Sequence, residues 1–372
     1  MKIILTGGGT GGHVTPALSV AQRLLREDPK TEILFIGRKD GKENAAVKKA
    51  GLPLFELEIY GIKRSLNLTN LKRIFKAVSA KRKAKAVIKS FSPDVVLGTG
   101  GYVCWPVLSA AKDLGIPTAI HESNTCPGLV TRVLSRRATA VLLNYGETAN
   151  HLKKKKNCMT VGNPVNEELY RTRRDDARAS LGLTDKSVFI LSFGGSGGAD
   201  VLNKSIAALM KNVSSCMKGV YHLHATGKSY YDKELAEKEQ LRGCKTVPYI
   251  DNMPRYLCAA DIVICRCGAM TLSELAAAGC CAVLIPSPNV TADHQRKNAA
   301  LFCERGAAIM IEESELCDGK LDKTVKELIL NKNLRDTLSQ RISKLKTPTA
   351  AKNIVEILRS ISKSAPSSAC SE

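Results

Sequence analysis

The amino-acid sequence predicts two α/β domains, each a doubly wound parallel sheet with helices on both faces, facing each other across a cleft. The same opening occurs twice: a buried strand leads into a glycine-rich loop and a helix near residue 3, and again near residue 188. After each opening, short apolar runs bounded by turn signals alternate with helical segments, a pattern typical of strands covered on both faces. With 372 residues, of which 44% are hydrophobic, the chain is long enough for two such cores.

The formal charge of +21 is unevenly distributed, because residues 1–160 contain 27 Lys and Arg against 11 Asp and Glu. This asymmetry indicates an anionic partner for the N-terminal half. One Trp and seven Phe leave few aromatic side chains for base stacking, so nucleic acid is not the expected partner. No apolar run approaches the roughly eighteen residues of a membrane span, and no secretory signal is recognisable.

Thirteen cysteines occur in the chain. Without a secretory signal, they favour free thiols in a reducing cytosol over a disulfide framework. Cys265-x-Cys267 and the adjacent cysteines at 280 and 281 lack the spacing of a zinc site, and His294 nearby is not spaced as a metal partner. The sequence therefore predicts neither a metal nor any other cofactor.

The first strand, Lys2–Thr6, leads into the glycine-rich residues 7–13 and then into a helix. Glycines let the backbone approach a ligand closely, and a helix N-terminus supplies N–H donors for a phosphate. Dinucleotide folds use a similar turn, but the next strand, residues 32–36, ends without the acidic residue that holds the ribose of NAD. Arg38 at that strand end leaves an NADP site as an alternative.

Residues 59–93 form a basic stretch with no Asp or Glu and ten Lys or Arg side chains. Apolar residues are interleaved with these charges, which predicts a loop and a basic amphipathic helix lying against an anionic membrane surface. An ordinary solvated helix face is the alternative. The ten basic residues are Lys63, Arg64, Lys72, Arg73, Lys76, Lys81, Arg82, Lys83, Lys85 and Lys89.

Polar residues follow two further predicted strands of the first domain. A strand at residues 94–97 leads into a second glycine loop that ends at Tyr102, and the next strand, residues 116–120, delivers His121, Glu122 and Asn124. The carboxyl ends of parallel strands meet at one edge of the sheet, where open α/β folds bind ligands. Because unpaired polar groups are costly to bury, we expect a polar pocket at this edge.

The second domain repeats the opening of the first, since strand Val188–Phe193 leads into a glycine loop at residues 194–199. Further along, strand Ile262–Cys265 is followed by a turn at Gly268 and a helix. The start of such a helix suits a phosphate, and Glu274 in its first turns is placed to accept two ribose hydroxyls. A carboxylate that only complements the helix dipole is the alternative.

The predicted domains are residues 1–162 and 163–348, divided at a Gly-Asn-Pro-Val turn. The final helical segment, residues 349–362, is predicted to pack back on the first domain as a brace. Residues 363–372 are predicted to be a disordered tail.

Eight sequence motifs occur in order over nearly the whole chain: GGGTGGHVTPAL, GTGGYV, HESNTCPGL, GNPV, FGGSGGA, YIDNM, CRCGAMTLSELAAAG and ADHQRKNA. Together they resemble the motifs of the MurG family of glycosyltransferases, in family order. The resemblance implies the two-domain GT-B fold, with a first domain for the acceptor and membrane and a second for UDP-N-acetylglucosamine (UDP-GlcNAc). It implies conversion of lipid I to lipid II in peptidoglycan synthesis, with inversion at the sugar and no obligatory metal. It also implies a peripheral location on the cytoplasmic face of the membrane, against the anionic inner leaflet, with other cell-wall synthesis proteins as candidate partners.

Matching these motifs position by position assigns the UDP-GlcNAc site. Asn124 and Gln295 would contact the sugar, the backbone of Ile250 would recognise the uracil, and Glu274 would bind the ribose. The other matched positions are Thr10, Gly11, Gly12, Ser196, Ala269, Met270, Thr271, Leu272 and Ser273.

Three positions depart from the family pattern. Asn166, expected near the nucleotide, stands where Arg is common, Thr131 where Asn is common, and Gly197 where Gln is common. These departures put individual contacts in doubt, and the loss of Arg at 166 removes a donor.

Direct displacement at the anomeric carbon needs a base for the incoming hydroxyl and stabilisation of the departing diphosphate. His13 is the candidate base or acceptor-side proton relay, with a hydrogen bond to a phosphate as its alternative role. Tyr102, His121 and Glu122 are acceptor-side candidates, although the last two would equally serve as a structural pair. Arg266 is a further candidate for the diphosphate, with pairing within the strand edge as its alternative role.

Two other functions stay open on the sequence alone. One is another nucleotide-sugar enzyme of the same fold, such as a different lipid glycosyltransferase or a UDP-sugar epimerase. The other is a nucleotide-binding or scaffold protein without turnover, which Asn166 and Gly197 favour. Release of UDP on adding lipid I would separate an enzyme from a binding protein.

Overall fold

The computed structural model describes residues 1–9, 11–41, 44–60, 68–195, 197–232 and 241–363, without the side chains of residues 68–75 and 363. Thr10, Ser196, part of the basic stretch and residues 364–372 of the predicted disordered tail lie outside the described residues. Lys363, the first residue of that predicted tail, is instead the last residue of a helix. The chain folds into two compact units. One is Met1–Val165 together with the segment that begins at Thr349, and the other is Asn166–Pro348.

The first unit is built on a seven-stranded parallel sheet with the order β3-β2-β1-β4-β5-β6-β7. Its strands are β1 Lys2–Thr6, β2 Glu32–Arg38, β3 Leu54–Leu57, β4 Val95–Gly98, β5 Thr118–Glu122, β6 Ala140–Leu143 and β7 Cys158–Thr160. Its helices up to the turn at 162 are α1 Gly11–Glu27, α2 Asn44–Lys49, α3 Leu68–Phe91, α4 Cys104–Asp113, α5 Leu129–Leu134 and a 3₁₀ helix Gly146–His151.

Strand β1 shows why this sheet is buried on both faces. Successive side chains of a strand point to opposite faces. Ile3 and Leu5 accordingly join the apolar layer that contains α1, whereas Ile4 joins the opposite layer, which contains α3 and α4. All three are fully buried.

The second unit has a six-stranded parallel sheet with the order β10-β9-β8-β11-β12-β13. Its strands are β8 Val188–Phe193, β9 Val220–Ala225, β10 Cys244–Val247, β11 Ile262–Cys265, β12 Cys281–Leu284 and β13 Ile309–Met310. Its helices are α6 Glu168–Arg171, α7 Arg174–Ser180, α8 Asp200–Asn212, α9 Met253–Ala259, α10 Ala269–Ala278, α11 His294–Glu304, α12 Lys320–Leu330 and α13 Lys332–Ser343. Its 3₁₀ helices are Ser214–Cys216, Thr291–Asp293 and Glu313–Asp318.

The last helix, α14 (Ala350–Lys363), belongs to the first unit. Its buried side chains Ile354, Val355 and Leu358 join the apolar layer of α1, and Arg359 forms an ion pair of 2.6 Å with Glu27 at the end of α1.

Both sheets contain a topological switch point, where neighbouring strands send their connections to opposite sides. In the first unit it lies between β1 and β4, and in the second between β8 and β11. Ligands of open α/β sheets bind at the carboxyl ends of the strands at such points. The glycine loops after β1, β4 and β8 and the turn after β11 all lie there.

Among the helices that the structure describes, none is long and apolar enough to cross a membrane. The twelve described cysteines are all free thiols. No cluster of three or more metal-binding side chains occurs within the described part of the chain.

Candidate functional site

The two glycine loops of the first unit are packed backbone against backbone. The N–H of Gly8 donates to the carbonyl of Gly100 at 3.3 Å, and a Cβ at Gly101 would overlap the carbonyl oxygen of Gly8. Gly101 also has a φ of +84°, which L side chains rarely adopt. Thr99 ties the loops to α1, because its hydroxyl donates to the carbonyl of His13 at 2.5 Å. The two loops, residues 7–13 and 98–102, therefore form one packed surface, the loop platform.

His13 lies in the first turn of α1 with its ring on this platform. Its Nδ1 is 3.1 Å from the carbonyl oxygen of Gly8. Because a carbonyl only accepts, Nδ1 carries the proton, and the neutral ring has its lone pair at Nε2. That nitrogen is the one a base would use. The same geometry suits the base and the proton relay that the sequence predicts for His13.

The polar residues at the end of β5 form hydrogen bonds within the first unit. Glu122 is buried and accepts hydrogen bonds from the backbone and side-chain amides of Asn124, at 3.1 and 2.9 Å, and from the N–H of Gly128 at 3.0 Å. His121 is 1% exposed and donates from Nε2 to the carbonyl of Gly162 at 3.0 Å. Burial lowers the pKa of His121, so its ring is neutral. These contacts favour the structural role over the acceptor-side role for both residues.

Tyr102 and the start of α1 complete the surface of the first unit's candidate site. Tyr102 is partly exposed, and its ring lies close to Gly9, since a Cβ at Gly9 would be 3.3 Å from its Cε1. Gly11 and Gly12 are exposed at the first turn of the helix. The adjacent Thr10 lies outside the described residues.

In the second unit, the glycine loop after β8 packs on the residues after β9. Gly198 has a φ of +74°, and a Cβ there would overlap the carbonyl oxygen of Thr226. A Cβ at Gly227 would lie 2.6 Å from the backbone of Gly198. Gly197, by contrast, has open space where a side chain would stand. Ser196 lies outside the described residues.

Helix α10 begins at the switch point of the second unit and carries Glu274. Burial raises the pKa of this carboxyl to about 7. Thr271 and Ser273 are partly exposed in the same turns, and the hydroxyl of Ser273 donates to the carbonyl of Ala269 at 3.1 Å. The side chain of Leu272 is fully buried, and its N–H donates to the carbonyl of Gly268. Ala269 and Met270 are also buried, which leaves their backbone as the part that a ligand would meet.

Gln295 joins two loops at the carboxyl edge of the second sheet. Its Oε1 accepts from the N–H of Cys267 after β11, at 3.2 Å, and from the N–H of Ser287 after β12, at 2.9 Å. The side chain still carries two N–H donors, which no described residue engages. Two consecutive residues just before it, Ala292 and Asp293, have φ values of +58° and +52°. Residues held in such backbone conformations cluster at functional sites.

Three other predicted residues have clear positions in the second unit. Neither backbone group of Ile250 takes part in a hydrogen bond between described residues, and its side chain is buried. Asn166 accepts from the N–H of Glu168 at 3.0 Å and so precedes α6 as a turn residue. Arg266 is 9% exposed, forms an ion pair with Glu313 and donates to two carbonyls after β12. Arg266 thus pairs within the sheet edge, which is the alternative to its predicted contact with the diphosphate.

The sequence did not indicate that Thr99 packs with the glycine loops of the first unit, or that Thr226 and Gly227 pack with the glycine loop of the second. The signal for Thr99 was its position inside a glycine loop. Thr226 and Gly227 follow a strand in the same way as the other loops, but a single glycine is a weak signal. Thr131, a departure from the family pattern, is buried in α5.

Family models match both units of the chain. The model of the glycosyltransferase family 28 N-terminal domain matches residues 3–143, and that of the C-terminal domain matches residues 189–354. The transferase named UDP-N-acetylglucosamine--N-acetylmuramyl-(pentapeptide) pyrophosphoryl-undecaprenol N-acetylglucosamine transferase from Bacillus subtilis (strain 168) is 36% identical over 366 residues, which cover 98% of this chain and 100% of the relative. The chain belongs to glycosyltransferase family 28.

Other members and fold neighbours agree with this assignment. The transferase of the same name from Thermoanaerobacter sp. (strain X514) is 38% identical over 97% of this chain and 100% of its own length. The crystal structure of MurG from Acinetobacter baumannii has a TM-score of 0.74 at 27% identity, covering 96% of this chain and 99% of that one. The predicted GT-B fold and the resemblance to the MurG family are confirmed.

Sugar epimerases share the fold of this family 28 chain at much lower identity. UDP-GlcNAc 2-epimerase from Neisseria meningitidis, solved with UDP-GlcNAc bound, has a TM-score of 0.66 at 14% identity, over 97% of this chain and 100% of that one. This similarity shows the fold alone. It does not favour the epimerase alternative over the glycosyltransferase.

Proposed function

We propose that this chain transfers GlcNAc from UDP-GlcNAc to the N-acetylmuramyl-(pentapeptide) pyrophosphoryl-undecaprenol acceptor, lipid I, and so forms lipid II. The observation that carries this proposal is the full-length match to transferases of that name at 36–38% identity. The product serves peptidoglycan synthesis, and through it the cell wall, cell shape and cell division.

The donor would bind at the carboxyl edge of the second unit. Glu274 would accept the two ribose hydroxyls, and the backbone of Ile250 would pair with the uracil. The start of α10 would face the diphosphate, where helix N–H groups and the helix dipole favour negative charge. Gln295 would donate its amide hydrogens to the sugar while its carbonyl keeps the two loops together. Asn124 of the first unit would also contact the sugar.

His13 would act on the acceptor. The lipid hydroxyl attacks the anomeric carbon, a new carbon–oxygen bond forms with inversion, and the bond to the diphosphate breaks. The hydroxyl proton passes to Nε2 of His13, and the electron pair of the broken bond leaves with UDP. The tautomer fixed by Gly8 supports this direction of transfer. Backbone N–H groups and helix dipoles would stabilise the departing diphosphate.

The first unit would also meet the membrane, because lipid I is embedded in it. In the part of α3 with described side chains, Ala80, Ala84 and Ile88 are buried at helical spacing. Arg82, Lys83 and Lys89 are exposed. Each basic residue close to an anionic leaflet contributes about 1 kcal/mol. We place this face of the first unit against the cytoplasmic leaflet, in peripheral and reversible contact, where other cell-wall synthesis proteins would find it.

Release of UDP from UDP-GlcNAc tests the proposal, measured with and without a lipid I analogue. Stimulation by the acceptor is expected. A protein that binds UDP-GlcNAc but releases no UDP when lipid I is added would be a binding protein instead.

A further inference from the structure

Four polar side chains form a buried chain through the core of the second unit. They are Ser214, His222, Ser192 and His224, and each is at most 2% exposed. His222 and His224 lie two residues apart on β9 and therefore point to the same face, and Ser192 is the register partner of His224 on β8. The predicted donor site does not account for any of the four.

The hydrogen bonds at one end of this chain have a fixed direction. Nδ2 of Asn203, on α8, donates to the carbonyl of Thr226 at 3.1 Å, because a carbonyl only accepts. The Oδ1 of Asn203 is therefore the atom 3.2 Å from Nε2 of His224, and it accepts from that nitrogen. The proton of the neutral His224 ring is thus on Nε2. Its Nδ1 can then only accept, so the 3.2 Å approach of Nδ1 to the backbone carbonyl oxygen of Ser192 is a contact without a hydrogen bond.

The direction then propagates back along the chain. The hydroxyl of Ser192 donates its one proton to Nδ1 of His224 at 2.9 Å. Its oxygen accepts from Nε2 of His222 at 2.8 Å, so this ring also carries its proton on Nε2. The remaining Nδ1 of His222 accepts from the hydroxyl of Ser214 at 2.9 Å. All five hydrogen bonds point toward Thr226.

Each of the two imidazole rings carries one proton, as this hydrogen-bond direction requires. Burial and the neighbouring His224 lower the pKa of His222 to about 3, and burial lowers the pKa of His224 to about 4. Each ring is therefore neutral across the physiological range, with one donor and one acceptor.

The chain ends on the residues that support the donor-site glycine loop. The carbonyl of Thr226 is the group against which Gly198 packs, and Gly227 is in backbone contact with Gly198. Asn203 also lies in the first turn of α8, close to the same loop, because its N–H donates to the carbonyl of Ala199 at 2.8 Å. A shift of Thr226 would therefore displace the loop at residues 194–199.

We propose that the Ser214–His222–Ser192–His224–Asn203 chain is a positioning device that holds Thr226 and, through it, the glycine loop that faces the nucleotide sugar. The two histidines are too deeply buried to touch a substrate, so they are positioning residues and not catalytic ones. The inference rests on the proposed function, in that the family match assigns Ser196 of this loop to the UDP-GlcNAc site.

The test compares His224→Leu with His224→Gln. Leucine breaks the chain next to Asn203, whereas the amide of glutamine can still donate to Oδ1 of Asn203. In His224→Leu, we expect KM for UDP-GlcNAc to rise roughly tenfold or more, as when one well-placed contact is lost, with kcat changed by less than about threefold. His224→Gln should restore KM to within about threefold of the wild-type value.

The matched control is Ser187→Ala. Ser187 is also buried and lies just before β8, the strand of Ser192, but its hydroxyl bonds to Thr184 at the opposite end of the sheet. Its loss should lower Tm by roughly 2–4 °C and leave KM unchanged. An unaltered KM in a folded His224→Leu protein, or an equal rise in Ser187→Ala, would overturn the inference.

Two readouts do not depend on catalysis. Nitrogen NMR of the imidazoles should show His222 and His224 as Nε2–H tautomers, and amide exchange at Thr226 and Gly227 should accelerate in His224→Leu but not in Ser187→Ala. A proton on Nδ1 of either ring, or unchanged exchange, contradicts the positioning chain even if the transferase assay succeeds. A wild-type protein that releases no UDP would instead refute the proposed function and leave these two readouts decisive for the chain.

Discussion

The imidazole ring of His13 lies directly against the α-carbon of Gly100. A Cβ at position 100 would be 2.6 Å from Cδ2 and 3.0 Å from Nε2 of the ring. The backbone of Gly100 also has a φ of +112°. The ring of His13, the candidate base, can therefore occupy this position only because Gly100 in the second glycine loop has no side chain.

Gly100→Ala should displace His13 and lower kcat by roughly 10²-fold or more, the scale of a lost general base. The control is Gly115→Ala, where φ is +75° but an added Cβ meets nothing within 4 Å. Both changes should destabilise the fold by about 1 kcal/mol through the backbone. Steady-state kinetics and thermal unfolding measure the two effects. Equal kcat values in the two variants would show that the contact with His13 does not matter.

His13→Ala should lower kcat by roughly 10²–10⁴ if the ring is the general base. The acidic limb of the pH–rate profile should then disappear, because protonation of Nε2 no longer stops the reaction. A hydrogen bond to a phosphate would give a loss of only about one or two orders of magnitude, with the acidic limb intact. A variant with the full wild-type rate would remove His13 from the mechanism.

Glu274→Ala should weaken UDP-GlcNAc binding by about 2–4 kcal/mol, because two charge-assisted hydrogen bonds to the ribose are lost. Titration calorimetry of the folded variant measures this directly. Glu304→Ala, an exposed carboxylate at the end of α11, is the control and should bind as the wild type does. Wild-type affinity in Glu274→Ala would place the ribose elsewhere.

The raised pKa of Glu274 predicts a pH dependence for the same binding step. The carboxylate form binds the ribose, and burial holds the pKa of the unliganded group at about 7. Affinity should therefore be greatest above about pH 8 and fall about tenfold for each pH unit below 7. UDP-GlcNAc itself has no phosphate proton that titrates in this range. Glu274→Gln should bind more weakly and without this pH dependence, and a sloping profile in that variant would assign the effect to another group.

Reversing the exposed charges of α3 should detach the protein from anionic vesicles. Arg82, Lys83 and Lys89 changed to Glu should abolish most co-sedimentation with phosphatidylglycerol vesicles, and wild-type binding should weaken as salt rises. The matched control has the same change in net charge on the second unit. Binding that ignores lipid charge, or that is lost equally in the control, would move the membrane face away from α3. The control residues are Lys186, Lys211 and Lys218, all exposed.

Three apolar strands that lead into glycine turns could be predicted from the sequence to the residue. Lys2–Thr6, Val188–Phe193 and Ile262–Cys265 are observed with their predicted bounds. The strand predicted at 94–97 is observed as Val95–Gly98, and the one predicted at 32–36 extends to Arg38. The strand predicted at 116–120 is instead Thr118–Glu122. The polar residues His121 and Glu122 belong to this strand because the groups that they pair with lie elsewhere in the fold.

Long-range partners explain what the sequence did not show about the candidate site. His121 bonds to Gly162, 41 residues away, and Arg266 pairs with Glu313, 47 residues away. No local sequence pattern indicates such a distant partner. A structural and a functional role therefore both stayed open for His121 and for Arg266. The glycine loops and Glu274 could be located because their chemistry is local: a strand, a turn and the first turns of a helix.

The most direct test of the proposed function is transfer of labelled GlcNAc from UDP-GlcNAc into lipid. The account predicts one labelled lipid II for each UDP released, with both products absent when lipid I is left out. UDP release without label in the lipid, or conversion of UDP-GlcNAc to its C2 epimer without acceptor, would contradict it.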